Sequence, residues 1–221
     1  MSVGLREKGK ARRRSEVLAA ASTLWRMHGV ANVTLAHIAE TAEVSAQTVY
    51  NLIGGVEEVK VAIVDELLER LEHSVGTASE RGVDLSVRRA LTSARLFAED
   101  PDLYRQILVG IPQAVFDGAR LSQDGSVFQR AALLEAQRLG QLRPDIDIDA
   151  VSWQIHVQYL GGLFSWASGS LDDAAFVRAT EVGVLALLSA CASEAVRADL
   201  QGRLTRLLAV SDCLQSRVND R

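Results

Sequence analysis

The sequence is poor in the residues that interrupt helices or crosslink a chain. It has three prolines in 221 residues, so long segments are free to form helices. Its two cysteines, Cys191 and Cys213, lie far apart, and Cys191 sits in an apolar, helix-like run. Reduced thiols are therefore favoured over a disulfide, which stays the alternative. Because aromatic residues are only 5% of a chain that is 48% hydrophobic, Ala and Leu supply most of the core, which favours an all-α protein.

Several classes of function lack their sequence signatures. No Gly-rich phosphate loop, G-x-S-x-G motif or Cys/His dyad with a recognisable context occurs, and the Cys and His residues lack metal-ligand spacing. We therefore expect no catalytic residues, no metal site and no cofactor, and an enzyme is disfavoured. Apolar runs stay shorter than the roughly 20 residues that span a bilayer. The basic start has no apolar segment behind it, so the sequence predicts a cytoplasmic protein without membrane association.

Charge is unevenly distributed along the chain. The net charge is −4, yet residues 1–14 contain six basic side chains and one acidic one. We predict a disordered basic arm at residues 1–11, followed by Arg12, Arg13 and Arg14 as phosphate contacts. A solvated tail without a partner is the alternative interpretation.

The most informative stretch runs from Thr34 to Leu52. Leu35, Ile38, Ala39 and Ala42 have the spacing of a short amphipathic helix, and Glu43-Val44 breaks that pattern. Ser45 then offers a cap for a second short helix. Two short helices joined by a tight turn are typical of a helix-turn-helix.

The second helix has an outward face without charged residues, which suits insertion into a DNA major groove. We expect base reading from Gln47 and Thr48, and contacts closer to the DNA backbone from Tyr50 and Asn51. The predicted DNA-binding set comprises Arg12, Arg13, Arg14, Thr34, Ser45, Ala46, Gln47, Thr48, Tyr50 and Asn51. The alternative is structural, because capped helical hairpins occur in many all-α proteins.

The flanking helices complete an N-terminal unit. An amphipathic helix is predicted up to His28, where Gly29 ends it, and a long helix is predicted from Val56. The sequence therefore predicts a three-helix DNA-binding domain at residues 12–55 and a C-terminal helical bundle for ligand binding and dimerisation at residues 56–221.

Residues 13 to about 72 resemble the DNA-binding unit of the TetR family of bacterial transcription regulators. The resemblance rests on these matches: Val17-Leu18, Ala21, Leu24-Trp25, Gly29, Thr34, Ile38-Ala39, Ala42, Val44-Ser45, Val49-Tyr50 and Glu57-Glu58. The chain departs from the family pattern at four positions. Where this chain has Glu43, the family usually has Gly, and where it has Leu52, a polar residue such as His is commoner. Ile53 stands in place of the usual Phe, and Val56 in place of the usual phosphate-binding Lys.

Two apolar segments near the C-terminus favour a twofold dimer. The segment from Asp149 to Ala167 and the run VGVLALLSACA at 182–192 are apolar over most of their circumference, and such helices are buried on every side. We predict a four-helix interface between two copies, with a monomer that buries both helices internally as the alternative. The predicted interface residues are Leu163, Trp166, Val182, Leu185, Leu188 and Ser189.

The resemblance also implies an effector pocket among the middle helices. The candidate lining residues are Phe97, Tyr104, Ile107, Ile111, Trp153, His156, Tyr159 and Leu160. Each is an ordinary core residue in the alternative interpretation. The function implied is a regulator, by family default a repressor, that binds a near-palindromic double-stranded DNA operator as a homodimer and is released by a small, hydrophobic effector. The competing function is a helical ligand-binding dimer whose DNA-binding head is weakened or lost.

Overall fold

The computed structural model describes residues 3–77, 79–116 and 125–209. In this part of the chain the secondary structure is helical, with one isolated bridge between Leu142 and Ala192. The helices are α1 Val3–His28, α2 Leu35–Thr41, α3 Ala46–Leu52, α4 Val56–Gly76, α5 Gly82–Ala98, α6 Pro101–Phe116, α7 Gly125–Arg138, α8 Ile148–Ala167, α9 Asp173–Cys191 and α10 Glu194–Ala209, with a 3-10 turn at Val30–Asn32. The all-α prediction is confirmed.

The first helix begins earlier than predicted. Residues 1–11 were expected to be disordered, whereas α1 starts at Val3. Strong helix formers (Leu, Arg, Glu, Lys and Ala) dominate residues 5–14, and their helix propensity extends α1 towards the N-terminus without a hydrophobic face. The basic residues are therefore presented at helical spacing rather than on a loose arm.

The chain divides into two compact units, and the division differs from the predicted boundary at residue 56. The first unit comprises Met1–Arg70 and Glu99–Gln123, and the second comprises Leu71–Ala98 and Asp124–Arg221. Polar contacts explain why α6 belongs with α1. Arg26 Nη2 lies 2.6 Å from Asp100 Oδ2, and the backbone N–H of Val30 donates to Gln106 Oε1 over 3.0 Å.

The core of the first unit comes from one stripe on each helix. Val17, Ala21 and Trp25 of α1 are fully buried, as are Ile38 of α2 and Val49 of α3. All five residues are among the positions on which the resemblance rests. Their burial packs α2 and α3 against α1. Helices this short need such packing, because they are only marginally stable when isolated.

In the second unit, α5, α7, α8, α9 and α10 share a core that includes Leu133, Ile155 and Leu185. The stretch Gly140–Asp145 between α7 and α8 supports this core. Leu142 is buried, and Gln141 Oε1 accepts the N–H of Val83 at the start of α5 over 3.0 Å. Gly82 has a φ of +60°, where other residues are strained, and a Cβ there would lie 2.0 Å from Gln141 Oε1 and displace it, so glycine is favoured.

Helix α9 is long and apolar enough, by length and composition alone, to cross a membrane. It packs against α5, α8 and α10, and Val184, Leu185 and Leu188 are buried within the chain. This packing identifies it as a core helix of the second unit. The expectation that its apolar run is buried on every side is not met within one chain, because Ala186 and Ala190 are exposed.

Cys191 is a buried free thiol whose pKa is raised by burial and lowered to a lesser extent by Arg143. Cys213 lies outside the described residues.

Candidate nucleic-acid interface

The turn between α2 and α3 is a Schellman-type helix end. Glu43 has a φ of +54°, its N–H donates to the carbonyl of Glu40, and the N–H of Val44 donates to the carbonyl of Ala39. A left-handed residue is required here, which is the physical reason for the glycine that the resemblance leads one to expect at this position. Glu43 keeps the geometry of the turn and carries the backbone strain.

Both short helices are capped by hydroxyl groups at their N-termini. Thr34 and His37 form a reciprocal capping box, in which Thr34 Oγ1 accepts the N–H of His37 and His37 Nδ1 accepts the N–H of Thr34. Ser45 Oγ accepts the N–H of Thr48 over 3.1 Å and lies 2.8 Å from Thr48 Oγ1. Three of the predicted DNA contacts, Thr34, Ser45 and Thr48, therefore have a structural task in the free protein.

The outward face of α3 is polar and uncharged, as predicted. Ala46, Gln47 and Asn51 are exposed, and Tyr50 is 61% exposed despite its size. Gln47 Nε2 donates to Asn51 Oδ1 over 2.9 Å, one turn further along. Because Val49 is fully buried on the opposite side, the helix is held in the orientation that presents this face.

The three arginines of the predicted DNA-binding set have different surroundings. Arg13 is exposed, and Arg12 is exposed with an ion pair of 3.5 Å to Glu16 one turn later on α1. Arg14 instead reaches α4, where its Nη1 lies 3.9 Å from Glu66 Oε1. Burial raises the pKa of Glu66, and Arg14 opposes that shift. Arg14 thus helps to pack α1 on α4 within the first unit, whereas Arg12 and Arg13 remain available at the surface.

A carboxylate from the first turn of α4 occupies the N-terminus of that helix. Glu58 Oε2 accepts the N–H of Gly55 over 2.9 Å, so the side chain occupies a backbone donor that a phosphate would use. Lys60 Nζ lies 2.6 Å from Glu57 Oε1, and the lysine is buried. Val56 therefore leaves this helix end without the lysine expected from the resemblance, and the nearest lysine along α4 is already paired.

The predicted effector residues are distributed over both units. Tyr104 and Ile107 of α6 are buried in the first unit, where Tyr104 lines a pocket of about 290 Å³ with Leu18 and Leu67. Burial raises the pKa of Tyr104. For Ile111 the structure describes the backbone alone.

The second unit contains the other five candidates, which differ in surroundings. Phe97 is buried 6.4 Å from the ring of Trp166, and Tyr159 lies 6.0 Å from the ring of Phe176. Leu160 is half-buried. Trp153 is 58% exposed, with its ring 6.0 Å from His156. Trp153 therefore points away from the core that Phe97 and Tyr159 help to form.

One polar pair lies inside this aromatic cluster. Ser93 Oγ and Tyr159 Oη are 2.7 Å apart, and either hydroxyl can be the donor. Burial raises the pKa of Tyr159, so its hydroxyl stays protonated. Thr180 of α9 is also buried, and its Oγ1 has no hydrogen-bond partner among the described residues. These three hydroxyls come from α5, α8 and α9.

The predicted interface residues lie mostly inside their own chain. Leu163, Trp166, Leu185, Leu188 and Ser189 are buried, and Val182 is half-buried. Trp166 Nε1 donates to Asp173 Oδ1 over 2.7 Å within the same unit. Because these side chains fill the core of the second unit, they have little surface left for a partner.

Exposed apolar area on α8 lies on a different face, which we did not single out from the sequence. Trp153, Val157 and Phe164 are exposed, and the half-buried Leu160 lies between them. Their spacing of four, three and four residues places them on one side of the helix. That spacing is visible in the sequence, but the opposite side of α8 is equally apolar, so periodicity alone does not tell the inner face from the outer.

No protein-family model matches this sequence, and no curated protein matches it either. Solved structures do match. TylP, a TetR regulator from Streptomyces fradiae, is 19% identical with a TM-score of 0.59, and the match covers 90% of this chain and 97% of TylP.

Two further solved structures are similar over most of their length. FadR from Thermus thermophilus, a TetR-family transcriptional repressor in complex with lauroyl-CoA, is 21% identical with a TM-score of 0.64, covering 80% of this chain and 93% of FadR. SmeT, the repressor of the Stenotrophomonas maltophilia multidrug efflux pump SmeDEF, is 25% identical with a TM-score of 0.62, covering 83% and 92%. These matches extend over most of this chain, so the N-terminal helix-turn-helix and the helical body occur together in the solved structures.

Proposed function

The chain has the fold of the TetR-family transcriptional regulators, and from this we propose that it is a ligand-responsive, DNA-binding transcription regulator of the cytoplasm. It binds a near-palindromic operator as a homodimer and acts as a repressor that a small hydrophobic effector releases.

The observation that carries the proposal is the exposed face of α3. Gln47 and Asn51 display amide groups, Tyr50 displays a phenol, and the helix has no charged side chain. Amide side chains form paired hydrogen bonds with base edges in the major groove, where each base pair has a distinct pattern of donors and acceptors. A surface helix of this composition, placed second in a helix-turn-helix, is suited to reading sequence.

Phosphate contacts come from another part of the first unit in this proposal. The exposed Arg12 and Arg13 of α1 supply positive charge, whereas the N-terminus of α4 is occupied by Glu58. We therefore propose that backbone anchoring depends more on α1 than the family pattern implies. Such contacts position the protein without reading sequence.

The homodimer is proposed to form through α8. Its exposed side chains Trp153, Val157 and Phe164 form an apolar stripe that a second copy of the same helix would cover. α9 contributes the small exposed residues Ala186 and Ala190, which allow close approach of helices. A dimer matters because two recognition helices reach successive major grooves only when they are about 34–36 Å apart.

The effector is proposed to bind in the second unit, near the polar pair Ser93–Tyr159. The surrounding rings of Phe97, Trp166 and Phe176 favour an apolar ligand, and the hydroxyls offer it an anchor. The likeness to FadR, whose structure contains lauroyl-CoA, supports a ligand with a long apolar part. FadR and SmeT are both described as repressors, which supports repression here.

The proposal is tested by a mobility-shift experiment with the DNA that flanks the protein's own gene. We expect a complex that resists excess nonspecific competitor and weakens between 50 and 200 mM salt, because several phosphate contacts release counterions. A variant that replaces Arg12 and Arg13 with Gln should reduce the salt dependence by about two phosphate contacts per subunit, because each arginine supplies one contact. If no competitor-resistant complex forms at either salt concentration, the regulator proposal is wrong.

One observation favours a second candidate, a ligand-binding helical dimer with a weakened DNA-binding head. Glu58 accepts the N–H of Gly55 at the N-terminus of α4, so this N–H is not free for a phosphate. Val56 stands where the family usually has a phosphate-binding lysine. This candidate predicts a stable dimer that binds an apolar ligand without any competitor-resistant DNA complex. Light scattering and the mobility shift together separate the two candidates.

A further inference from the structure

The second unit has an open groove on its surface between α5, α9 and α10. The groove has a volume of about 620 Å³. It is separate from the aromatic cluster around Tyr159, because none of the residues of that cluster lines it. Nothing in the proposed function uses this groove.

Three helices bring arginines into the groove. Arg95 comes from the last turn of α5, Arg178 from α9, and Arg203 and Arg206 from α10. Arg203 and Arg206 are three residues apart and therefore lie on one face of α10. Glu181 is the acidic residue among the lining residues. This concentration of positive charge is unexpected in a chain whose net charge is −4.

Two of the arginines are already engaged. Arg203 Nη1 lies 2.7 Å from Asp84 Oδ1 and 3.8 Å from Asp199 Oδ2. Arg178 Nη2 donates to the carbonyl of Leu207 over 2.6 Å, which fixes α9 against the end of α10. These contacts hold the walls of the groove.

The other two arginines are exposed and have no ion pair or hydrogen bond with the residues that the structure describes. They are Arg95 and Arg206. A guanidinium group presents several N–H donors in a plane, a geometry that matches the oxygens of a phosphate. Two such groups in one groove provide enough positive charge for a doubly charged anion.

The groove also has an apolar part. Val177 of α9 and Leu207 of α10 are half-buried and line it together with Ala174. A ligand that fits this surface has a charged head for the arginines and a short apolar chain for these side chains.

We propose that this groove binds a small phosphate monoester that carries a short apolar chain. Arg95 and Arg206 bind the phosphate, while Val177 and Leu207 contact the chain. The site does not depend on DNA binding, which we assign to residues of the first unit.

The test is isothermal titration calorimetry of the full chain with two probes, hexyl phosphate and inorganic phosphate. Hexyl phosphate should bind about tenfold more tightly, since roughly two buried methylenes contribute that factor. Binding should weaken as NaCl is raised from 50 to 500 mM. The variants Arg95→Gln and Arg206→Gln should each weaken hexyl phosphate about tenfold, because each removes a charge-assisted contact.

The matched control is Arg138→Gln, which removes the same charge from an exposed position on α7 outside the groove. It should leave the affinity for hexyl phosphate within twofold of the parent protein. Thermal unfolding of all three variants checks that the fold is retained, as expected for exposed arginines.

Three results would overturn the proposal. One is the absence of hexyl phosphate binding at millimolar concentration. Another is an equal loss of affinity in Arg138→Gln and the two groove variants, since the effect would then come from net charge. The third is retention on vesicles that contain phosphatidic acid together with an affinity for hexyl phosphate no higher than that for inorganic phosphate, because the occupant would then be a membrane surface.

Discussion

The side chains of Gln47 and Asn51 hold each other across one turn of α3, with Gln47 Nε2 donating to Asn51 Oδ1 over 2.9 Å. This contact restricts the rotamers of both residues on the exposed face of the helix. It leaves Gln47 Oε1 as an acceptor and Asn51 Nδ2 as a donor for a further partner. A base edge that offers one donor and one acceptor, as adenine does in the major groove, complements this pair.

Replacing Gln47 with Ala should reduce sequence discrimination at one base pair of each half-site. The expected loss is about 1–3 kcal/mol of discrimination against the wrong base, since one paired hydrogen-bond contact disappears. Affinity for nonspecific DNA should stay unchanged, because phosphate contacts supply it. Sequencing of DNA selected from a random pool by each protein measures the change.

The control for this change is Gln201→Ala, which removes the same group from an exposed position on α10. It should select the same DNA as the parent protein. If the Gln47 variant also keeps the parent preference, the assigned role in base reading is wrong.

Glu43→Gly should stabilise the protein by about 1 kcal/mol. Glu43 occupies the left-handed region with a φ of +54°, where a Cβ is unfavourable and glycine is not. The gain is partly offset by the greater conformational freedom of glycine in the unfolded chain. Urea unfolding of the full chain measures the difference in the free energy of unfolding.

Glu43→Ala separates the backbone effect from the charge effect. It removes the carboxylate from the C-terminal end of α2 but keeps the Cβ, so its free energy of unfolding should stay within a few tenths of a kcal/mol of the parent. Equal stabilisation by Ala and Gly would show that charge, not the left-handed backbone, destabilises this turn.

Local sequence signals were sufficient for the helix-turn-helix. The hydroxyl caps at Thr34 and Ser45, the apolar spacing and the break at Glu43-Val44 each act within a few residues, and the structure has α2 and α3 where they indicated. The extent of α1 differs from the prediction, because a charged segment with good helix propensity has the same composition as a disordered arm.

The faces of the apolar helices depend on tertiary packing. In α8, Trp166 is fully buried and Trp153 is 58% exposed, although both lie in the same apolar segment. When both sides of a helix are apolar, the pattern does not show which side meets the core.

The pairing of Arg14 with Glu66 could not be predicted either, since the two residues are 52 positions apart and meet only because α1 packs on α4.

Introducing a lysine at Val56 should strengthen DNA binding if the first unit binds DNA as proposed. The new ammonium group at the start of α4 adds one phosphate contact per subunit, so the slope of log affinity against log salt should steepen by about 0.9 for each contact. Titration of the operator complex at several salt concentrations measures this slope.

Val127→Lys is the control, because it adds the same charge at an exposed position of α7 in the second unit. Its slope should match that of the parent protein. If Val56→Lys and Val127→Lys strengthen binding equally, the gain comes from net charge, and the start of α4 does not contact phosphate.

Trp153→Glu should convert the proposed dimer into a monomer. Trp153 is 58% exposed in a single chain, so replacing it leaves the core of the second unit intact, whereas a buried carboxylate in a twofold interface would face its own copy. Light scattering at micromolar concentration should give the mass of two chains for the parent protein and of one chain for the variant.

Val109→Glu, at another exposed apolar position on α6, should stay dimeric. Because only a dimer places two copies of α3 on successive grooves, the Trp153 variant should also lose at least tenfold in operator affinity. A Trp153 variant that remains a dimer would show that the exposed stripe on α8 is not the interface.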